Sequence, residues 1–286
     1  MILIIESGST KSDWVLLNQS EKTYFSTIGL NPYFHTEQDV EQAIRSNSGL
    51  LSLCNDVSAI YFYGAGCSAD HLNAIIARGI QNVFTHAVVS VDHDLNACAY
   101  ATYSGEPAIS CIIGTGSNSC FFDGEVVSEQ VPALGYILGD EGSGTYMGKR
   151  LLADFLYHRL PEEMATAFEK ETGLDKDSIV HHVYKQPNAN VYLASFVPFI
   201  QKFSHTSYVK ELVLNGFKQF LDVHVCCFDN YKNYPVHFVG SISRIFKSEL
   251  EEACRHFDIK IGNIVQKPVD GLVQYHERYI NKLETK

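Results

Sequence analysis

The sequence predicts an α/β protein built as two lobes, and three observations predict it. Short apolar or β-branched runs alternate with amphipathic stretches of helical period, the alternation expected of sheets covered by helices. The element order is three strands, then helix, strand, helix, strand and helix; it runs from Ile2 to Tyr103 and starts again near residues 104–108. A turn of small residues between two strands occurs twice, once at the start of each run. The lobes are therefore set at 1–105 and 106–270, with a C-terminal helix, 271–286, that can return to the first.

Ile2–Ile5, Asp13–Asn18 and Lys22–Ser26 read as an antiparallel meander of three strands, which Gly29-Leu30-Asn31-Pro32 breaks. Glu37–Arg45 is polar and helical. Ser58–Tyr63 is a β-branched and aromatic strand ending at Gly64-Ala65-Gly66, and Ala69–Ile80 is an amphipathic helix. Ala87–Val91 is a strand ending in Asp92-His93-Asp94. The helix Leu95–Tyr103 carries Ala97, Cys98, Ala99 and Ala101, small enough for close packing. In the second run, the strands Ile109–Ile113 and Ser119–Phe122 flank Gly114-Thr115-Gly116-Ser117-Asn118, and Asp123-Gly124 signals a hairpin. Gly139-Asp140-Glu141-Gly142-Ser143-Gly144 opens onto a helix in which Met147, Leu151, Leu152, Phe155, Leu156 and Leu160 recur, ended by Pro161. Glu162–Asp177 is helical with a break at Gly173, and Val209–Phe228 is a long helix that includes Cys226 and Cys227. Pro235–Val239 is a strand running into Gly240-Ser241, Phe246–Phe257 is a helix, Ile264 lies in a last strand, and Asp270–Leu283 is the C-terminal helix.

Hydrophobic residues make up 45% of the chain, enough to build full cores, and 19% charged with 12% aromatic is ordinary for a globular enzyme. A formal net charge of -11 argues against general nucleic-acid binding, which needs a basic footprint. No apolar run reaches the ~18 residues of a membrane helix, and no basic segment precedes an apolar one at the start. No membrane association and a cytoplasmic location are expected. The 8 cysteines form no C-x-x-C pair and read as small buried hydrophobes in a reducing compartment. Cys226 and Cys227, adjacent on a helix, would face different ways.

The two turns carry the chemistry. In Gly114-Thr115-Gly116-Ser117, glycine lets backbone N–H groups face an anion, and Thr115, Ser117 and Asn118 add donors. A side chain at Gly116 would then stand where a polyphosphate lies. The first turn, Glu6-Ser7-Gly8-Ser9-Thr10-Lys11-Ser12, lacks Walker A spacing and no helix follows it. Two such loops suggest a clamp on a nucleotide polyphosphate. Asp94 lies just past a strand and before a helix, where open α/β sheets place ligands; a carboxylate there can accept a hydroxyl proton or cap the helix. Asp92 is its rival for the first role. Asp92-His93-Asp94 does not converge as a metal site, because successive side chains alternate faces.

These motifs resemble a known family. Glu6-Ser7-Gly8-Ser9-Thr10-Lys11 and Gly114-Thr115-Gly116-Ser117-Asn118 resemble the two phosphate loops of the actin-like and sugar-kinase ATPase superfamily. With Gly139-Asp140-Glu141-Gly142-Ser143, the second is similar to N-acetylglucosamine kinases of the BadF/BadG/BcrA/BcrD-type ATPase family. The resemblance implies two ribonuclease H-like (actin-like ATPase) lobes with a central cleft, ATP and Mg²⁺ as cofactors, and an amino sugar as substrate. The 6-hydroxyl of N-acetylglucosamine is the expected acceptor; another amino sugar such as glucosamine, or an ATPase that activates a partner enzyme, are the alternatives. A homodimer is compatible with it.

It also implies roles. Asp94 matches the catalytic aspartate. Ser7, Gly8, Ser9, Thr10 and Lys11, with Gly114, Thr115, Gly116 and Ser117, would bind phosphates, and Gly240 and Ser241 resemble the adenosine loop. Asn31, Gly64, Ala65, Gly66, Gly135, Tyr136, Asp140 and Glu141 would contact or line the sugar site. Glu6 replaces the usual aspartate and would act on Mg²⁺ through water. Ser7 and Ser9 replace glycines, which would be costly wherever the loop needs left-handed angles. The zinc motif of repressor-type sugar kinases and the cluster cysteines of dehydratase-activating ATPases are missing from the sequence.

Overall fold

Six residues, Ile2–Ser7, form the first strand (β1), and the first sheet is laid out from it. The computed structural model describes residues 1–19 and 21–280, so the last part of the predicted C-terminal helix lies outside the described residues. β1 pairs antiparallel with β2 (Lys11–Asn18), which pairs antiparallel with β3 (Glu21–Ile28). On its other side β1 runs parallel to β4 (Ala59–Gly64), and β4 parallel to β5 (Val88–His93). The order is β3-β2-β1-β4-β5.

The unbroken apolar run of β1 follows from alternation. Leu3 and Ile5 face one core, with Trp14 and Leu16 of β2; Ile4 faces another, with Val15 and Leu17. Helices α1 (Glu37–Arg45), α2 (Ser48–Leu51) and α3 (Asp70–Gln81) supply Val40, Ile44, Leu50, Ile76 and Ile80 to the first of these cores. Thr36 and Asp39 close a capping box on α1. The second core is closed by α4 (Asp94–Thr102) and the C-terminal helix Val269–Tyr275 through Ala97, Val269, Leu272 and Val273. The small residues of α4 serve this contact. A Cβ at Gly271 would stand 2.3 Å from the Ala101 carbonyl oxygen, so the two helices touch backbone to backbone. Residues 267–280 thus belong with residues 1–105 in one compact unit, and Glu106–Gln266 forms the other.

His276 follows that helix with no solvent exposure. One ring nitrogen lies 2.9 Å from the Tyr63 hydroxyl, and the other, Nδ1, has no hydrogen-bond partner. Burial depresses its pKa from 6.5 to about 4. A depressed folded-state pKa means that stability is full above the unfolded value and is lost as pH falls toward the folded one. Denaturation of the protein is therefore expected to cost up to roughly 3 kcal/mol less at pH 4 than at pH 7 on account of this ring. His276→Phe should flatten that acid slope in urea titrations; an unchanged slope would assign it elsewhere.

The second unit repeats the layout. β6 (Ala108–Ile113) pairs antiparallel with β7 (Ser117–Phe122), β7 with β8 (Val127–Ser128), and β6 runs parallel to β9 (Val236–Val239) beside β10 (Ile261–Val265). Its order, β8-β7-β6-β9-β10, is the first sheet's order over again. Helices α5 (Gly135–Leu138), α6 (Gly144–Leu156), α7 (Glu162–Thr172), α8 (Lys176–Lys185), α9 (Ala189–Ala194), α10 (Val197–Lys202), α11 (Ser207–His224), α12 (Ser241–Ile245) and α13 (Lys247–His256) accompany it. Ile109, Cys111 and Ile113 meet Met147 and Leu151 of α6 and Val213, Phe217 and Phe220 of α11 in one core.

Several boundaries differ from those read in the sequence. The periodicity Met147–Leu160 overruns α6, which stops at Leu156; His158 then takes a left-handed φ of 55°. Leu160 is buried all the same. Asp123-Gly124 is not a two-residue hairpin: the Asp123 carboxylate accepts the amides of Glu125 and Val126, both at 2.7 Å, and makes a longer turn. α11 ends at His224, so Cys226 and Cys227 lie beyond the helix. β7 starts at Ser117, which leaves only Gly114–Gly116 as the turn.

Candidate active site

In the first unit the predicted residues meet at the C-terminal ends of the parallel strands. Ser7, Gly64 and His93 lie in one row across β1, β4 and β5, and the Ala65 amide donates to the Ser7 carbonyl at 2.9 Å. The loop between β1 and β2 is short, with the Gly8 amide bound to the Lys11 carbonyl at 3.0 Å. None of Glu6–Ser12 has a positive φ, so serine at positions 7 and 9 carries no conformational cost. The Ser7 hydroxyl is fully buried. It lies 2.7 Å from the Ser12 hydroxyl and accepts the Leu30 amide at 2.8 Å, so it fastens the loop to the chain behind it. Lys11 is paired with Asp13. Gly29, absent from the predicted site, is what lets the loop sit there: a Cβ on it would fall 2.2 Å from the Gly8 carbonyl oxygen. In the sequence it signals a strand break alone.

Asp94 is the first residue of α4, not its cap; His93 caps the helix, its Nδ1 accepting the Leu95 amide at 3.2 Å. The same nitrogen lies 3.0 Å from Asp94 Oδ1, so the cap and a hydrogen bond to Asp94 compete for one atom. Close by, the Glu6 carboxyl is pushed up to about 8 by burial first, then by the charges of Asp94 and Asp13. Such a carboxyl is poised for a cation: a divalent ion offsets the repulsion that keeps it protonated. Among the described residues no set of three or more acidic, His or Cys side chains forms a ready-made metal cage. A folded pKa above the unfolded 4.5 means stability falls as pH rises from 4.5 through about 8. Glu6→Gln stays neutral, so its thermal midpoint should match wild type at pH 4 and exceed it at pH 9; equal midpoints at both would refute the raised Glu6 pKa.

Asn31 and Gly66 are in contact. Gly66 has φ 83°, and a Cβ there would lie 2.5 Å from Asn31 Oδ1. Asn31 Oδ1 accepts the Tyr33 amide at 2.9 Å, which turns the chain at Pro32 and leaves the amide nitrogen of the side chain as a donor. Gly64 is required by its own neighbours, since a Cβ would meet the Phe62 ring at 2.4 Å.

In the second unit, Gly114–Ser117, Asp140–Gly144 and Gly240 converge. The amides of Gly144 and Thr145, at the start of α6, bind the carbonyls of Gly114 and Thr115 at 2.9 and 3.0 Å. Gly240 has φ 126°, and a Cβ on it would lie 2.3 Å from the Ile113 carbonyl oxygen, so glycine is needed for β9 to end against the loop. The Gly114 amide is used within the turn, on the Gly116 carbonyl at 2.9 Å. Asp140 lies on this loop rather than apart from it. Its carboxylate accepts the Ser117 amide at 3.2 Å and the Thr145 hydroxyl at 3.4 Å, and burial raises its pKa. The expectation for Gly116 needs correcting. A Cβ there would stand 2.9 Å from Asp140 Oδ1, so this glycine makes room for a carboxylate; a Cβ at Gly114 would meet nothing within 4 Å. Ser117 donates its hydroxyl to the Glu141 carbonyl at 2.8 Å. Gly135 and Tyr136 lie in α5, and the Tyr136 carbonyl accepts Lys149 Nζ at 2.5 Å. Ser241 opens α12 and is exposed. Thr145 and Lys149 were not in the predicted set, since on α6 they sit within an apolar pattern.

No protein-family model matches the chain, and no curated protein does. Solved structures do. A Porphyromonas gingivalis protein described as a candidate N-acetylglucosamine kinase is 35% identical, with 98% of this chain and 100% of that one covered at TM-score 0.91. A Chromobacterium violaceum protein described in the same way is 15% identical over 96% and 98%, at TM-score 0.71. A ROK family glucokinase from Streptomyces griseus, solved with glucose and AMPPNP, is 14% identical over 96% and 98%, at TM-score 0.53.

Proposed function

Since the chain belongs to the sugar-kinase family of the actin-like ATPase fold, we propose that it transfers the γ-phosphoryl group of ATP to the 6-hydroxyl of N-acetylglucosamine. The observation that carries the reading is the place of Asp94: a carboxylate at the first position of α4, in line with the ends of β1, β4 and β5. There it takes the hydroxyl proton as the sugar oxygen bonds to phosphorus and the bond to the β-phosphate oxygen breaks. The Gly114–Gly116 turn, braced with Ser117 by Asp140 and by the start of α6, receives phosphate oxygens. Glu6 would hold Mg²⁺ through water, and the ion, when bound, offsets charge on the β- and γ-phosphates. Asn31, held in its turn by the Tyr33 amide, offers its side-chain nitrogen to a sugar oxygen. Positioning of the reacting groups and fixed donors, rather than covalent chemistry, supplies the acceleration. Among the described residues no helix is long and apolar enough to cross a membrane, and the need for ATP suits the cytoplasm.

N-acetylglucosamine is chosen over glucosamine and glucose on the strength of the Porphyromonas relative. The test is an ATP-coupled assay with N-acetylglucosamine, N-acetylmannosamine, glucosamine and glucose, and NMR of the product to place the phosphate. Preference for a sugar without the acetamido group, or phosphate on another oxygen, overturns the assignment.

A further inference from the structure

A buried imidazole stands behind the loop that carries Glu141. His224, the last residue of α11, is 3% exposed and stacks on Phe220, with ring centroids 5.1 Å apart. Its Nε2 lies 3.6 Å from the Glu141 carboxylate, and its Nδ1 has no hydrogen-bond partner. A buried polar ring left with one orphan nitrogen needs a reason to be there. Its surroundings supply one. The Ser119 hydroxyl donates to the His224 carbonyl at 2.5 Å, and the preceding residue, Asn118, donates its side-chain amide to Glu129 at 3.3 Å. Two turns earlier in α11, Gly216 meets the same loop, because a Cβ at Gly142 would lie 2.9 Å from its carbonyl oxygen. α11 thus backs both the Gly139–Gly144 loop and the strand that follows the phosphate turn.

We propose that His224 is the positioning residue for Glu141: its Nε2, 3.6 Å from the carboxylate, closes to a hydrogen bond as the sugar binds, so that a substrate hydroxyl finds the acceptor placed. The inference rests on the sugar-kinase reading and on Glu141 as a sugar contact. The neutral ring suits the role: it donates from Nε2, and its bare Nδ1 needs no acceptor. Burial keeps the ring neutral by lowering its pKa below 6.5, opposed by Glu141 and then by Glu129, the carboxylates that face it. When the ring takes a proton at lower pH, the imidazolium claims Glu141 as a counter-ion, and the carboxylate becomes a poorer acceptor for sugar.

The test compares two variants of the full chain, with the sugar found in the substrate panel and at saturating ATP. His224→Phe keeps the ring stack and removes the donor. His224→Gln keeps a donor at similar reach and cannot titrate. The Phe variant should raise KM for sugar about tenfold, the scale of a lost hydrogen bond to a charged group. kcat and KM for ATP should stay within about twofold, and Gln should restore most of the loss. In wild type, KM for sugar should climb as pH falls below the ordinary imidazole range, and the Gln variant should lack that limb. An NMR titration of His224 in wild type and Glu141→Gln reads the pairing without any turnover; neutralising the carboxylate should lower the imidazole pKa. An unchanged KM in a folded Phe variant, an acid limb retained in the Gln variant, or an imidazole indifferent to Glu141→Gln would each overturn the proposal. Absence of turnover with every sugar would instead overturn the function it rests on, and the titration would then decide the pairing.

Discussion

Asp94→Asn is expected to bind ATP as wild type does and to turn over about a hundredfold more slowly or worse, since a positioned base contributes roughly 10²–10⁴. The asparagine keeps the size of the side chain and its place at the start of α4, where the cap is made by His93 and not by residue 94. Helix stability should therefore hardly move, and circular dichroism can establish that. The substitution also removes one of the two negative charges that raise the Glu6 pKa, so Glu6 should ionise at lower pH in the variant. Turnover near the wild-type rate would exclude Asp94 as the base and leave Asp92, on β5, as the remaining carboxylate of that segment.

The second large effect is expected at Gly114. Open space surrounds the position, with no protein atom within 4 Å of a Cβ there, and its φ is not left-handed. Gly114→Val should consequently fold normally and fill only the volume in front of the turn. If that volume takes phosphate, ATP affinity falls at least tenfold, about 1.4 kcal/mol. Gly116→Val makes the sharper contrast. Its side chain must displace the Asp140 carboxylate, which frees the Ser117 amide and loosens the turn, so both stability and affinity should drop. Calorimetric titration with ATP, paired with a thermal melt, separates the two. Wild-type affinity in a folded Gly114→Val protein would remove the turn from the nucleotide site.

Much of this was readable in the sequence because it depends on local pattern. The first two strands of the meander bury alternate residues in two cores, and that alternation, together with the turns, is visible along the chain. Asp94 could be singled out because a strand end followed by a helix start is a local signature. Residues whose role depends on a distant partner left no such mark. Gly29 reads as a break, yet it is glycine because the Gly8 carbonyl passes within contact distance. Thr145 and Lys149 look like polar members of an apolar helix, yet they reach Asp140 and the Tyr136 carbonyl. Asp140 itself read as a sugar ligand from its motif, and only the folded loop reveals it against Ser117. The short helices α9 and α10, six residues each, hold too few turns for periodicity to register.

The return of the chain to its first unit orders events during synthesis. Residues 1–105 are made before the helix that closes the core over Ile4, Val15 and Leu17, and the whole of Glu106–Gln266 is made between them. Until Val269, Leu272 and Val273 arrive, the apolar side of α4 is bare, while Glu106–Gln266, an uninterrupted stretch, already has every strand of its sheet. The later-made unit can therefore settle before the earlier one is finished. A stalled or truncated chain ending near Gln266 would present a completed second unit tethered to an unfinished first one, a form that folding chaperones and proteases are suited to find.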